Sequence, residues 1–160
     1  QREEFEAALR DAVDLLERLS GQPLTLFGRD AGLLASYAVT SHAAASCNWV
    51  GLAAQARRYA TDALDLLTAV PEKDRIPGKE AVARIELALA LVGLGSPDEA
   101  CDLGHEALSS ERTRSSVPVR ARALDLDAAL QRAHPDLPEA GEFHERCRLL
   151  TRPSPPELAT

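Results

Sequence analysis

The sequence predicts an all-α protein, an array of helical hairpins with about seven helices. Three observations point there. Apolar residues recur at helical spacing through most of the 160 residues. Strand signals are absent. One helix–break–helix unit has the same residue spacing as a second unit nearer the start. The length suits one domain with a sizeable core. The expected organisation is a single helical-repeat domain over 1–150 and a Pro-rich disordered tail over 151–160.

In chain order, Arg2 to Leu19 reads as an amphipathic helix, with Phe5, Leu9, Ala12, Val13, Leu16 and Leu19 as its apolar stripe and carboxylates on its outer face. Gly21-Gln22-Pro23 ends it. Leu24 to Phe27 fits a short turn or the first turn of a helix, and Asp30 is placed to cap the next one. Ala31 to Trp49 is an Ala-rich helix with Leu33, Leu34, Tyr37, Ala38 and Ala45 inward. Val50-Gly51 turns into a helix from Leu52 to Ala69, and Pro71 to Gly78 is a polar loop.

Glu80 to Leu94 organises the chain. It is apolar almost all round, interrupted by Arg84 and Glu86, and a helix with no polar face belongs inside. Gly95 fits a C′ position, Ser96 an N-cap, Pro97 N1 and Glu99 N3, which together make a capping box. The helix that follows, Asp98 to Ser109, has small residues at Ala100, Gly104 and Ala107 that permit close backbone approach. Glu111 to Ser116 reads as a polar loop. Val117 to Ala133 is a helix with Pro118 tolerated in its first turn, and a last helix runs from about Leu137 to Leu150.

Gly95, Ala100, Ala107 and Leu108 share one spacing with Gly51, Ala56, Ala63 and Leu64. Recurring helix pairs indicate a solenoid-like array. GLGSPDEACDLGHEAL resembles the second half of a tetratricopeptide repeat. Arg84, Leu87, Ala88 and Leu91 stand at the first-helix positions, and Gly95, Ala100 and Ala107 at the later ones. Arg84 replaces the usual Trp, and no Pro closes the repeat at Arg112. The resemblance implies a tetratricopeptide-like helical-hairpin repeat array covering roughly Ser36 to Leu108. Its packing residues are Leu87, Ala88, Leu91, Gly95, Ala100, Gly104, Ala107, Gly51, Ala56 and Ala63. It further implies a concave groove along the first helices, at Val82, Ile85, Leu89 and Val92 in the central unit. In the earlier unit the groove positions are Ala38, Ser41, Ala45 and Asn48, with Trp49 alongside. An apolar groove must be covered, either by a flanking helix or by a partner or small ligand.

A wider stretch is similar to the C-terminal helical-repeat regions of actinobacterial helix-turn-helix (XRE-type) transcriptional regulators. The residues that carry the likeness are Ala56 to Tyr59, Leu94 to Leu108, Arg114 to Leu126 and Glu142 to Arg146. It implies a sensing, dimerisation or protein-contact module, the regulatory part of a bacterial transcription regulator. The alternative is a free-standing tetratricopeptide scaffold or adaptor. The chain has no Met, so Gln1 is expected to be internal or trimmed, with the DNA-reading segment absent from these residues.

Chemistry and charge narrow the function. The net charge of −7 argues against this chain gripping nucleic acid or an anionic membrane. No apolar run approaches the roughly 18 residues of a membrane span. Three cysteines, an odd number without close pairing in sequence, suit a reducing cytoplasm. Cys101 and His105 share a helix face, as do His144 and Cys147, but their spacing fits no common zinc pattern. The favoured reading is buried cysteines beside solvent-facing histidines, with no metal, no cofactor and no enzyme activity. Arg57-Arg58 and the run Arg112, Arg114, Arg120, Arg122 read as surface charge, the run because Asp125 and Asp127 follow it at once, the alternative being contact with an anion or acidic peptide. The expected partner is a protein or peptide, or a small ligand. A homodimer is expected, joined through apolar helix faces that include Phe5, Leu9, Val13 and Leu16.

Overall fold

The computed structural model describes residues 3–4, 7–8, 10–12, 14, 25–26 and 29–151. The N-terminal helix, α1, is described at residues 3–4, 7–8, 10–12 and 14. The stripe residues Phe5, Leu9, Val13 and Leu16 lie outside the described residues. After α1 come β1 (Thr25–Leu26) and β2 (Arg29–Asp30), followed by α2 (Ala31–Trp49) and α3 (Ala53–Thr68). A 3-10 turn over Glu72–Asp74 leads to α4 (Pro77–Gly93), α5 (Pro97–Ala107), α6 (Glu111–Arg114), α7 (Val117–Ala133) and α8 (Pro138–Thr151). The protein is all-α and built of packed helical hairpins.

Two small elements correct the sequence reading. Thr25 pairs with Asp30 and Leu26 with Arg29 in an antiparallel ladder where a short turn or the first turn of a helix was expected. Two residues per strand leave no period-2 alternation for a pattern to display. The expected polar loop after α5 contains α6, a single turn whose first N–H groups are met by Ser110. The Ser110 Oγ accepts from the Thr113 backbone N–H at 3.1 Å. One turn is too short to show an apolar stripe.

Both hairpin turns use the same device. Gly51 and Gly95 have φ of 75° and 79°, a region that glycine enters without steric cost. At the first turn the Leu52 N–H donates to the Cys47 carbonyl at 2.8 Å and Gly51 to Asn48 at 3.2 Å. At the second, Ser96 donates to Leu91 at 2.9 Å and Gly95 to Val92 at 3.2 Å. Each is a Schellman closure that satisfies the last helical carbonyls. It also explains why the expected capping box is absent. The Ser96 N–H is spent on Leu91, so Glu99 has no N-cap donor to accept from, and the Ser96 side chain makes no cap bond. Pro97 does occupy the first position of α5. At the far end of α3, Arg75 plays the capping role. Its Nε donates to the Val70 carbonyl at 3.1 Å and its Nη2 to Thr68 at 3.0 Å.

Helix α4 sits at the centre, packing against α2, α3, α5 and α7. The largest core cluster joins α4, α5, α7 and α8 through Ile85, Leu108, Val119, Leu126, Leu130 and Phe143, all fully buried. A second cluster gathers Ala43, Ala44, Cys47, Ala56, Tyr59 and Ala60 between α2 and α3, and it reaches α4 at Ala90. Alanine at these contacts keeps α2 and α3 close. Gly104 does the same for α5. A Cβ there would lie 2.7 Å from Phe143 Cε2 and 2.9 Å from Leu126 Cδ2. The close approach read from the small-residue spacing is therefore, at Gly104, an approach to α7 and α8.

Candidate interaction surfaces

The residues assigned to hairpin packing lie where packing occurs. Ala88, Ala100, Ala56 and Ala63 are fully buried, Leu91 and Ala107 nearly so, Gly104 is buried and Leu87 is half-buried. Gly51 and Gly95 are exposed at the turns.

The groove residues divide. Ile85 has no exposed surface and belongs to the large core cluster, so it is closed to any partner. Leu89 and Val92 are half-buried against the same cluster. The reason is that α7 lies along α4 and takes the face an open groove would have offered. Ser41 is half-buried beside the Tyr37 side chain. Asn48 is occupied within the fold. Its Nδ2 donates to the Glu86 carbonyl and to Glu86 Oε2, each at 2.9 Å.

That contact belongs to a polar network missed by the sequence reading. Glu86 is 2% exposed. Its Oε1 accepts from Arg122 Nε at 2.7 Å, and Arg122 Nη1 reaches Asp125 Oδ2 at 2.6 Å. One buried carboxylate thus ties α2, α4 and α7 together. A buried charge is tolerated only when it is paired and hydrogen-bonded. The lone Glu in an apolar helix was the signal, and Arg122 is its partner rather than free surface charge. On the outer side of α4, Arg84 Nε meets Glu106 Oε1 at 3.0 Å, joining α4 to α5.

Trp49 is the residue of the candidate surface that remains open. It is 90% exposed at the end of α2, next to Val50 at 49%. Leu94, in the α4–α5 turn, is 42% exposed. These turns are neighbours, because a Cβ at Gly93 would stand 2.9 Å from Ala53 Cβ. The two hairpin tips therefore present their apolar side chains at one end of the molecule. A shallower cleft of about 310 Å³ lies between α1 and α2, lined by Ala8, Ala12, Ala38, Val39, His42 and Ser46 among others. The described part of the acidic helix is thus seated beside its own domain.

The cysteine and histidine pairs form a different arrangement from the one their spacing suggested. Cys101 and Cys147 are almost fully buried. Burial, with Glu139 and other carboxylates adding to it, pushes the Cys101 thiol up to about 11. Burial, followed by Asp127, pushes Cys147 up to about 12. His105 is half-buried, edge-on to Phe143 with ring centroids 5.4 Å apart. Its pKa is lowered by burial first and the nearby Arg146 charge second. His144 Nδ1 lies 2.9 Å from Asp127 Oδ2 and 3.1 Å from Oδ1. Both histidines are engaged with the fold instead of facing solvent freely. Among the described residues, no group of three or more His, Cys, Asp or Glu side chains is placed to hold a metal ion, and no helix is long and apolar enough to cross a membrane.

Comparison with family models, with curated proteins and with solved structures finds no match to this chain.

Proposed function

We propose that this chain is a non-catalytic protein-binding and dimerisation domain, the regulatory portion of a bacterial, cytoplasmic transcription regulator whose DNA-binding region lies outside these residues. The observation that carries the reading is the paired hairpin tip. Trp49, Val50 and Leu94 are exposed at one end of the helical array. Tryptophan is enriched among the residues that anchor protein interfaces, and large exposed apolar side chains mark interaction surfaces. The protonated state of the Cys101 and Cys147 thiols at neutral pH supports a non-catalytic role, since the thiolate is the nucleophile. The alternative reading is a free-standing tetratricopeptide scaffold. The resemblance of Leu94 to Leu108 and of Arg114 to Leu126 to the regulator class favours the first.

Trp49 is the sole tryptophan of the chain, so its fluorescence reports directly on the surface in question. For a homodimer joined at the tips, emission shifts to shorter wavelength as protein concentration rises, in step with sedimentation equilibrium, and Trp49→Glu gives a monomer. A monomer at tens of micromolar, or a dimer in which Trp49 emission stays that of a solvated indole, refutes docking of a second copy at the tips. A helix-turn-helix encoded directly upstream of Gln1 separates regulator from scaffold.

A further inference from the structure

A second site lies at the other end of α5 from the hairpin tips. The eleven residues of α5 span about 16 Å at the helical rise. There, the α6 turn, the start of α7 and the end of α8 surround a cavity of about 490 Å³. Arg114, Arg120 and Arg146 all line it, with Leu149 and Leu150 as an apolar wall and Glu111 as its one lining carboxylate among the described residues. In sequence these arginines are scattered over more than thirty positions, and the fold brings them together.

Two of the three are held in place by backbone. Arg114 Nη1 donates to the carbonyls of Leu108 at 3.1 Å and Ser109 at 3.0 Å, and its Nη2 to Glu111 Oε2 at 2.9 Å. Arg146 Nη2 donates to the same Leu108 carbonyl at 2.8 Å. Among the described residues no carboxylate pairs with Arg146, and its buried Nε has no acceptor. The Arg120 side chain has no hydrogen bond or ion pair among the described residues, its backbone N–H alone donating to the Ser116 carbonyl at 3.0 Å. Three guanidinium groups against one carboxylate leave an excess of two positive charges in the cavity wall of a protein whose net charge is −7. Converging like charges disfavour one another unless an anion joins them. The guanidinium fork matches carboxylate and phosphate oxygens, and arginines already fixed by backbone carbonyls lose little freedom on binding. The volume lies within the usual range for small-molecule sites, about 300–1,000 Å³. Leu149, 59% exposed, offers apolar contact beside the charge.

We infer that this cavity binds a small organic anion, a phosphate or carboxylate head carrying a short apolar body. The head sits among Arg114, Arg120 and Arg146, and the body lies against Leu149 and Leu150. The site is independent of the tip surface and stands whether or not the tips dock a partner.

Titration calorimetry of the whole chain with phenyl phosphate, inorganic phosphate and hexanoate tests the assignment. The expected result is saturable one-site binding of phenyl phosphate or hexanoate, about tenfold or more tighter than inorganic phosphate, because the apolar body adds contact. Arg120→Gln removes a side chain without internal bonds, so it keeps the wild-type melting temperature and weakens binding by about tenfold or more. Leu149→Ser weakens the organic anions while leaving inorganic phosphate unchanged. Absence of binding by both organic probes, or equal affinity in wild type and a folded Arg120→Gln, overturns the inference.

Discussion

Gly104→Ala tests the packing that joins α5 to the C-terminal helices. In isolation the substitution favours the helix by about 1 kcal/mol, because glycine loses the most backbone freedom on folding. Here the new methyl would stand 2.7 Å from Phe143 Cε2, 3.0 Å from Phe143 Cζ and 2.9 Å from Leu126 Cδ2. Phe143 and Leu126 are both fully buried, so neither can swing aside into solvent. Overpacking of a tight core costs about 1–3 kcal/mol, and the contact on two fixed side chains at once places this case toward the upper end. The net expectation is a loss of about 1–2 kcal/mol. For a chain of this size that is a melting temperature lower by about 2–8 °C. Gly141→Ala is the matched control. It lies in α8, is exposed, and a Cβ there meets nothing within 4 Å. The control should gain about 0.5–1 kcal/mol. Thermal and urea unfolding of both variants measures the contrast. A Gly104→Ala protein as stable as wild type, or more stable, refutes the close approach of α5 to Phe143 and Leu126.

Three further outcomes are expected. Glu86→Ala strands Asn48 and Arg122, and because Arg122 keeps Asp125 and some solvent contact the cost is about 2–3 kcal/mol, toward the lower side of buried-pair losses; Glu86→Gln, which still accepts hydrogen bonds, loses less in denaturant melts. The pKa of His105 is lowered on folding, so below its unfolded value of about 6.5 the unfolded chain binds the proton more readily. Its contribution to stability is intact above that pH and declines as pH falls from there through the folded pKa; an NMR titration of the ring should place the midpoint below 6.5, and His105→Gln should flatten this part of the pH–stability curve. Cys101 and Cys147 should resist a thiol reagent in the native protein at neutral pH and react on unfolding, since burial holds both protonated and covered; rapid native labelling of either would contradict the packing of α5 and α8.

Much of the helical framework follows from local signals in the chain. Ala31–Trp49 and Val117–Ala133 have the predicted bounds, and Gly51 and Gly95 turn where a positive φ was needed. These features depend on propensity, periodicity and glycine's freedom, which act between residues close in sequence. The short elements were illegible for the complementary reason. β1, β2 and α6 are shorter than any period, and α6 depends on one hydroxyl of Ser110.

The sites depended on the tertiary structure. Ile85 and Trp49 both looked like groove residues, yet α7 covers the first and leaves the second 90% exposed. Glu86 gave a visible hint as a charge on an apolar helix, but its partners stand 38 residues before it and 36 after, at Asn48 and Arg122. Arg114 and Arg120 looked like surface charge, and Arg146 joined them only when α8 folded back beside α6 and α7. Sequence spacing determines which residues share a helix face. Which face meets another helix, and which cavity remains between them, depends on packing over distances at which spacing holds no information.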